Sequence, residues 1–246
     1  MNITNRTVLI TGGGSGIGFE TAKLLSQNNK VLIIGRNENK IKDAAAVLEN
    51  TEAIVCDITN EADIDRLLST IKQTYPDLSI LINNAGTAYV YEISGSADAY
   101  TKAKEEIDVN YLSLIRLTEK LLPILKNQPD AAIVNVSSVV AFSPLAIIPS
   151  YSASKAAVHS YTLALRHVLA KNSTIRVFEL MQPTVNTEFA KEIGGEEHGM
   201  PPAQVASDLI AGLENDTYEV YTGITKDFRD LFFSSPNDAF EMMNKA

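Results

Sequence analysis

The sequence contains one cysteine, no tryptophan and three histidines in 246 residues. A single thiol, Cys56, excludes an intramolecular disulfide and a cysteine-based zinc site. It lies in the apolar run Ala53-Ile54-Val55-Cys56, so a buried structural thiol is expected. Basic residues are also short, with Lys+Arg 21 against Asp+Glu 30 and a formal net charge of −9. That balance argues against nucleic acid or anionic lipid as the main partner, because both need a basic face. No run approaches the ~18 apolar residues of a membrane span. Met1 to Arg6 carries no apolar signal region. These absences predict a cytoplasmic chain without a nucleic-acid or membrane partner. Against them stands a hydrophobic share of 45% and a charged share of 21%, which is the composition of a folded domain rather than a disordered chain.

Short apolar runs alternate with helical patterns from the first residues. Thr7-Val8-Leu9-Ile10, Val31 to Ile34, Thr51 to Cys56, Ile80 to Ile82, Ala132 to Val136 and Ile175 to Leu180 read as buried strands, with Tyr218 to Tyr221 as a seventh. Helical spacing follows Ile17, covers 38–49 and 61–75, and continues over about 100–125, where Pro123 disturbs the last turns. A long helix spans 150–170. The alternation predicts an α/β fold, a doubly wound parallel sheet of about seven strands with helices on both faces. It fills residues 1–246 as one domain. The irregular stretches 87–97 and 183–200 each follow a strand's carboxyl end, where such folds bind ligands. The second is expected to form a substrate lid.

Thr11-Gly12-Gly13-Gly14-Ser15-Gly16-Ile17-Gly18 joins the first strand to the first helix. Missing side chains let a pyrophosphate approach the backbone, and the helix end offers free N–H groups and a positive dipole. The spacing of Gly12, Gly16 and Gly18 differs from G-x-G-x-x-G, and an ordinary glycine-rich turn is the plainer alternative. The second strand ends Ile34-Gly35-Arg36-Asn37. An acid there would bind the adenosine ribose; its absence, with a guanidinium that can pair with a phosphate, predicts NADP(H) as the preferred cofactor and NAD(H) as the second option.

Tyr151 and Lys155 are i,i+4 on the long helix and share a face. A nearby ammonium is expected to lower the phenol pKa from about 10, which suits proton transfer near neutral pH. Such a pair alone is weak. Here it stands with the glycine loop, Asn83-Asn84-Ala85-Gly86, Asn110, Ser138 and Tyr151-Ser152-Ala153-Ser154-Lys155, in that order. Together they resemble the short-chain dehydrogenase/reductase family over nearly the whole chain. Phe142-Ser143-Pro144-Leu145-Ala146 and the long helix are similar to its DltE-like branch.

The resemblance implies a Rossmann-like oxidoreductase that moves a hydride between nicotinamide and a carbonyl or secondary alcohol. Tyr151 is then the general acid or base. Lys155 tunes it and holds the nicotinamide ribose, Ser138 orients the carbonyl, and Asn110 kinks its helix and holds a water. Gly12, Gly14, Ser15, Gly16, Ile17 and Gly18 cradle the cofactor, with Arg36, Asp57, Ile58, Asn84, Ala85 and Gly86 around its adenosine half. Pro183, Val185 and Thr187 bind the nicotinamide side. The residues by themselves also allow plainer roles: Ser138 ending a strand, Asn110 as a polar helix residue, and Asp57 as a helix cap.

Two departures stand out. Thr184 occupies the place of a family glycine and would be strained at positive φ. The end of the chain, Phe228 to Ala246, lacks the family's Asp-Gly-Gly ending, which favours a homodimer over a homotetramer. Val140, Ile148 and Met181, with Ile147 and Tyr89, are expected beside Ser138 and Tyr151 in an apolar substrate pocket. His159 and His167 are expected on a helix surface or interface, and His198 in a solvated loop, so no metal site is predicted. The alternatives are a non-catalytic NADP(H)-binding regulator on the same fold and a nucleotide-sugar epimerase or dehydratase.

Overall fold

The computed structural model describes residues 1–245; Ala246, the last residue of the expected domain, lies outside them. Strands β1 (Thr7–Thr11), β2 (Lys30–Gly35), β3 (Thr51–Val55), β4 (Leu78–Asn83), β5 (Ala132–Val136), β6 (Arg176–Met181) and β7 (Glu219–Tyr221) form one sheet in the order β3-β2-β1-β4-β5-β6-β7. Every pairing is parallel. The chain winds outward from β1 to β3, then returns to add β4 on β1's other side. Strand order therefore reverses between β1 and β4, and the crevice at their carboxyl ends is the natural ligand site of this Rossmann-like arrangement.

Both faces of the sheet are covered because β-strand side chains alternate. Val8 and Ile10 point into a core completed by Ala22 and Leu25 of α1 (Gly16–Leu25), Ile41 of α2 (Glu38–Ala46) and Val205, Leu209 and Leu213 of α8 (Pro202–Glu214). Leu9 points to the opposite core, built with α3 (Glu61–Thr74), α5 (Ser113–Lys126) and α6 (Pro149–Asn172). In α3 the apolar residues Ile64, Leu67, Leu68 and Ile71 recur at helical spacing and are the buried ones, while Asn60 caps its first turn by accepting from Asp63 N.

The stretch expected as one helix over about 100–125 is broken. It comprises α4 (Ala99–Ile107), a π-helical turn (Asp108–Leu112) and α5, which tolerates Pro123 on its exposed side. Residues 183–200 hold a 3-10 turn (Glu188–Ile193) and the short α7 (Gly195–His198), tied back by a bridge between Val185 and Met200. Helices α9 (Thr225–Ser234) and α10 (Pro236–Asn244) close the chain. No helix among the described residues is long and apolar enough to cross a membrane.

Candidate active site

The turn after β1 is built around two glycines. Gly12 (φ +67°) and Gly16 (φ +56°) occupy the left-handed region, which costs glycine little. Thr11 Oγ1 accepts from the backbone N of Asn84 and of Ala85, both at 2.9 Å, and the Asn84 amide donates to the carbonyls of Thr11 and Gly12. These bonds pin the ends of β1 and β4 together at the switch point. A cleft of about 470 Å³ opens there. Gly12, Ser15, Gly16 and Ile17 line it; Gly14 and Gly18 do not. Gly18 instead permits close packing, because a Cβ there would stand 2.5 Å from both the Gly12 carbonyl and the Asn84 amide. Gly14 faces Lys40 and Ile41 of α2. Asn83 is also turned away, bonded to Thr118 of α5 and Asn135 of β5.

Arg36, Asp57, Ile58, Asn84, Ala85 and Gly86 also line the cleft. Arg36 is exposed and makes no salt bridge among the described residues, so its guanidinium is available to an anion. The Asp57 carboxylate accepts from Thr59 N and Oγ1; since Asn60 caps α3, the capping role for Asp57 is excluded. Cys56 is buried as expected, and burial pushes its thiol up to about 12. Lys40 also borders the cleft, where its ammonium meets Glu188 at 2.9 Å across the opening. The sequence reading missed both residues, which are remote in the chain. The cleft suits a dinucleotide: a side-chain-poor loop at a helix N-terminus, with an unpaired cation at the far end.

At the other end Ser138, Tyr151 and Lys155 converge, all of them buried. Ser138 follows β5, in extended conformation at the start of the 3-10 turn Val139–Ala141. Tyr151 and Lys155 project from the first turns of α6, which Pro149 starts. Lys155 Nζ donates to the Val136 carbonyl at 2.8 Å and lies 5.5 Å from the centre of the Tyr151 ring. Burial pushes the lysine down to about 8. Burial also raises the Tyr151 phenol well above its ordinary value, partly offset by the Ser138 hydroxyl. The expected lowering of the phenol by Lys155 is not found: burial and the nearby Glu106 raise it, only the Ser138 hydroxyl lowers it, and the ammonium is committed to a carbonyl. Asn110 lies behind the site, not in the cleft. In the π turn its amide accepts from Thr87 N and donates to Thr87 O and Ser154 Oγ, all within 2.8–2.9 Å. It braces the loop after β4 that carries Gly86, where an added Cβ would lie 3.3 Å from Asn110 Oδ1.

Val140 and Ile148 border the cleft, as expected, but Met181 does not. It is fully buried as the last residue of β6, paired in register with Tyr221, because the strand runs one residue further than its apolar run suggested. Ile147 is half exposed, and the Tyr89 hydroxyl is turned to Glu105. The apolar wall is completed by Leu145, Phe189, Ile193 and Met243, which the sequence reading did not identify. Phe189 places its ring 5.7 Å from that of Tyr151. Met243 arrives on α10, whose Asn244 amide grips Ala146 N and Pro144 O. Pro183, Val185 and Thr187 border the cleft too, and Thr184 is outside the positive-φ region, so the feared strain is absent. His159, expected on a helix surface or interface, is half-buried and turns its ring inward to the buried Glu179.

The fold and the family are matched by known proteins. The family model described as short chain dehydrogenase matches residues 6–198. The chain is 34% identical to the uncharacterized oxidoreductase DltE of Bacillus subtilis over 249 residues, 99% of this chain and 98% of that protein. It is 32% identical to an uncharacterized oxidoreductase of Staphylococcus aureus over 216 residues, 86% of this chain and 92% of the relative. A short chain dehydrogenase from Burkholderia cenocepacia, solved in complex with NADP, superposes with a TM-score of 0.86 at 26% identity over the whole of both chains. One from Burkholderia phymatum, solved with NAD, has the same fold at 18% identity and a TM-score of 0.86, covering 100% of this chain and 97% of that one. The chain thus belongs to the short-chain dehydrogenase/reductase family of oxidoreductases and is DltE-like within it.

Proposed function

We propose that this chain is an NADP(H)-preferring oxidoreductase that interconverts a carbonyl and a secondary alcohol, through Tyr151, Lys155, Ser138 and Asn110. The observation that carries the reading is the junction, in one cleft, of an unpaired guanidinium at one end and a buried Ser–Tyr–Lys set at the other. The NADP complex of the B. cenocepacia relative supports the cofactor class. When bound, the nicotinamide supplies or accepts the hydride.

The chain's own residues do the rest. Arg36 binds a 2′-phosphate through parallel hydrogen bonds, while the α1 N-terminus and the backbone of Gly12 to Ile17 receive the pyrophosphate. Pro183, Val185 and Thr187 hold the nicotinamide side, and the 183–200 segment serves as the lid. Ser138 fixes the carbonyl oxygen. Tyr151 gives that oxygen a proton; its raised pKa keeps the phenol protonated at neutral pH, the state a proton donor needs. Lys155 holds the ribose hydroxyls. Asn110 positions rather than reacts, by ordering the Thr87 backbone. The apolar wall around Val140, Ile148 and Phe189 selects a substrate with a lipophilic body.

A single domain acting as a homodimer fits the exposed Leu112, Leu163 and Val168 on the helices flanking the site. The test of function is an NADPH- and NADH-oxidation screen over aldehydes, ketones and 3-oxoacyl compounds. Turnover with NADPH favoured at least tenfold supports the reading. Tight NADPH binding without turnover on any carbonyl would favour a regulator instead.

A further inference from the structure

Glu179 is a carboxylate with no exposed surface, on β6 where the sheet faces α6. An ionised carboxylate buried this deeply is strongly unfavourable unless hydrogen bonds and an opposite charge offset it. Both kinds of partner are present. The Ser137 hydroxyl donates to Glu179 Oε1, and His159 Nδ1 stands 3.0 Å from each carboxylate oxygen. The edge of the imidazole meets Phe142, with ring centres 5.2 Å apart. Packing alone requires no acid here, since Val177 and Met181, the neighbours of Glu179 on the same face of β6, are apolar and buried.

This cluster touches the reactive end of the cleft at two points. Ser137 directly precedes Ser138. Lys155 lies one helical turn before His159 on the same face of α6, and its ammonium donates to the carbonyl of Val136, the residue before Ser137. The buried ammonium and the buried carboxylate are thus bonded to consecutive residues at the end of β5. Attraction by Glu179 is also the influence that opposes burial at Lys155.

We infer that Glu179 and His159 are positioning residues for Lys155: Glu179 is the counter-anion of its ammonium, and the proton on His159 sets how much of that negative charge the ammonium feels. Of the other charged groups facing the cluster, Arg166 and Glu219 are matched to each other, whereas Glu106 has no cationic partner among the described residues and its Oε2 accepts no hydrogen bond. Arg166 of α6 pairs with Glu219 of β7 at 3.2 Å, and the Tyr221 hydroxyl donates to the same Glu219. Glu106 of α4 faces Tyr151. His159 is held above its ordinary value chiefly by its hydrogen bond to Glu179. With His159 protonated the pair is neutral. Once His159 loses its proton the pair carries −1 and holds the Lys155 proton more firmly.

The inference deepens the role proposed for Lys155, but its test uses neither cofactor nor substrate, so failure of the hydride-transfer reading leaves the outcome intact. The full chain is labelled at lysine ¹³Cε, and the Lys155 resonance is identified by its loss in Lys155→Met. Its titration is then followed by NMR from neutral to alkaline pH. Glu179→Gln is expected to lower the Lys155 midpoint by about one pH unit or more. His159→Gln keeps a donor to the carboxylate but cannot carry a proton, and is expected not to lower it. Equal falls in both variants, or no change with Glu179→Gln, would overturn the proposal. Should Glu179→Gln not fold, the wild-type protein decides: the Lys155 resonance must show a smaller inflection where His159 titrates, and its absence overturns the proposal equally.

Discussion

Lys155 presents its ammonium to the face of the Tyr151 ring, 5.5 Å from the ring centre, while hydrogen-bonding the Val136 carbonyl. The charge is buried, and its pKa falls from the ordinary lysine value to about 8. Folding therefore has to desolvate an ammonium that the unfolded chain leaves in water.

Lys155→Met should accordingly stabilise the ligand-free protein below pH 8 while weakening NADPH binding roughly tenfold or more. The sign follows from proton counts. Between about 8 and the unfolded value near 10.4 the unfolded chain binds more protons, so wild-type stability at this group rises with pH. The advantage of the variant should shrink across that window. Thermal melts of both proteins from pH 6 to 10 check this; a variant less stable at every pH contradicts it.

Arg36→Ala should separate the cofactors. Removing the unpaired guanidinium is expected to weaken NADPH binding about tenfold, or ~1.4 kcal/mol, and leave NADH nearly unchanged. Fluorescence titration with each cofactor measures the difference. Equal losses would mean that Arg36 does not meet a 2′-phosphate.

Gly18→Ala tests the glycine loop where it packs rather than where it binds. The new methyl would sit 2.5 Å from the Gly12 carbonyl and the Asn84 amide. Overpacking of this kind costs roughly 1–3 kcal/mol, read from urea denaturation, and should distort the loop enough to weaken either cofactor.

Phe189→Ala should raise KM for a lipophilic carbonyl several-fold while leaving NADPH affinity close to wild type, because the ring stands against Tyr151 at the apolar end of the cleft. Steady-state kinetics paired with cofactor titration separates the two effects.

The seven strands, the glycine turn and the Tyr151–Lys155 face were legible because each depends on local pattern: short apolar runs, glycines at a strand end, and spacing of four on a helix; the order in which the strands pair belongs to the fold. Other features depended on contacts between distant segments. Met181 reads as a pocket residue until the end of β6 is known, since one further residue of pairing buries it. Asn110 was recognised, but its π turn and its grip on Thr87 belong to the packing of two segments. Lys40 meets Glu188, and Met243 meets the cleft, only through the fold. The phenol's direction of shift was misjudged because spacing on a helix reports proximity and says nothing of burial.

The central claim is that Tyr151 transfers the proton at the reacting oxygen, and Tyr151→Phe tests it most directly. The ring and its packing remain while the hydroxyl is lost. NADPH-dependent carbonyl reduction should fall by about 10²-fold or more, with the NADPH dissociation constant nearly unchanged. Retained turnover in a variant that binds NADPH normally would contradict the account.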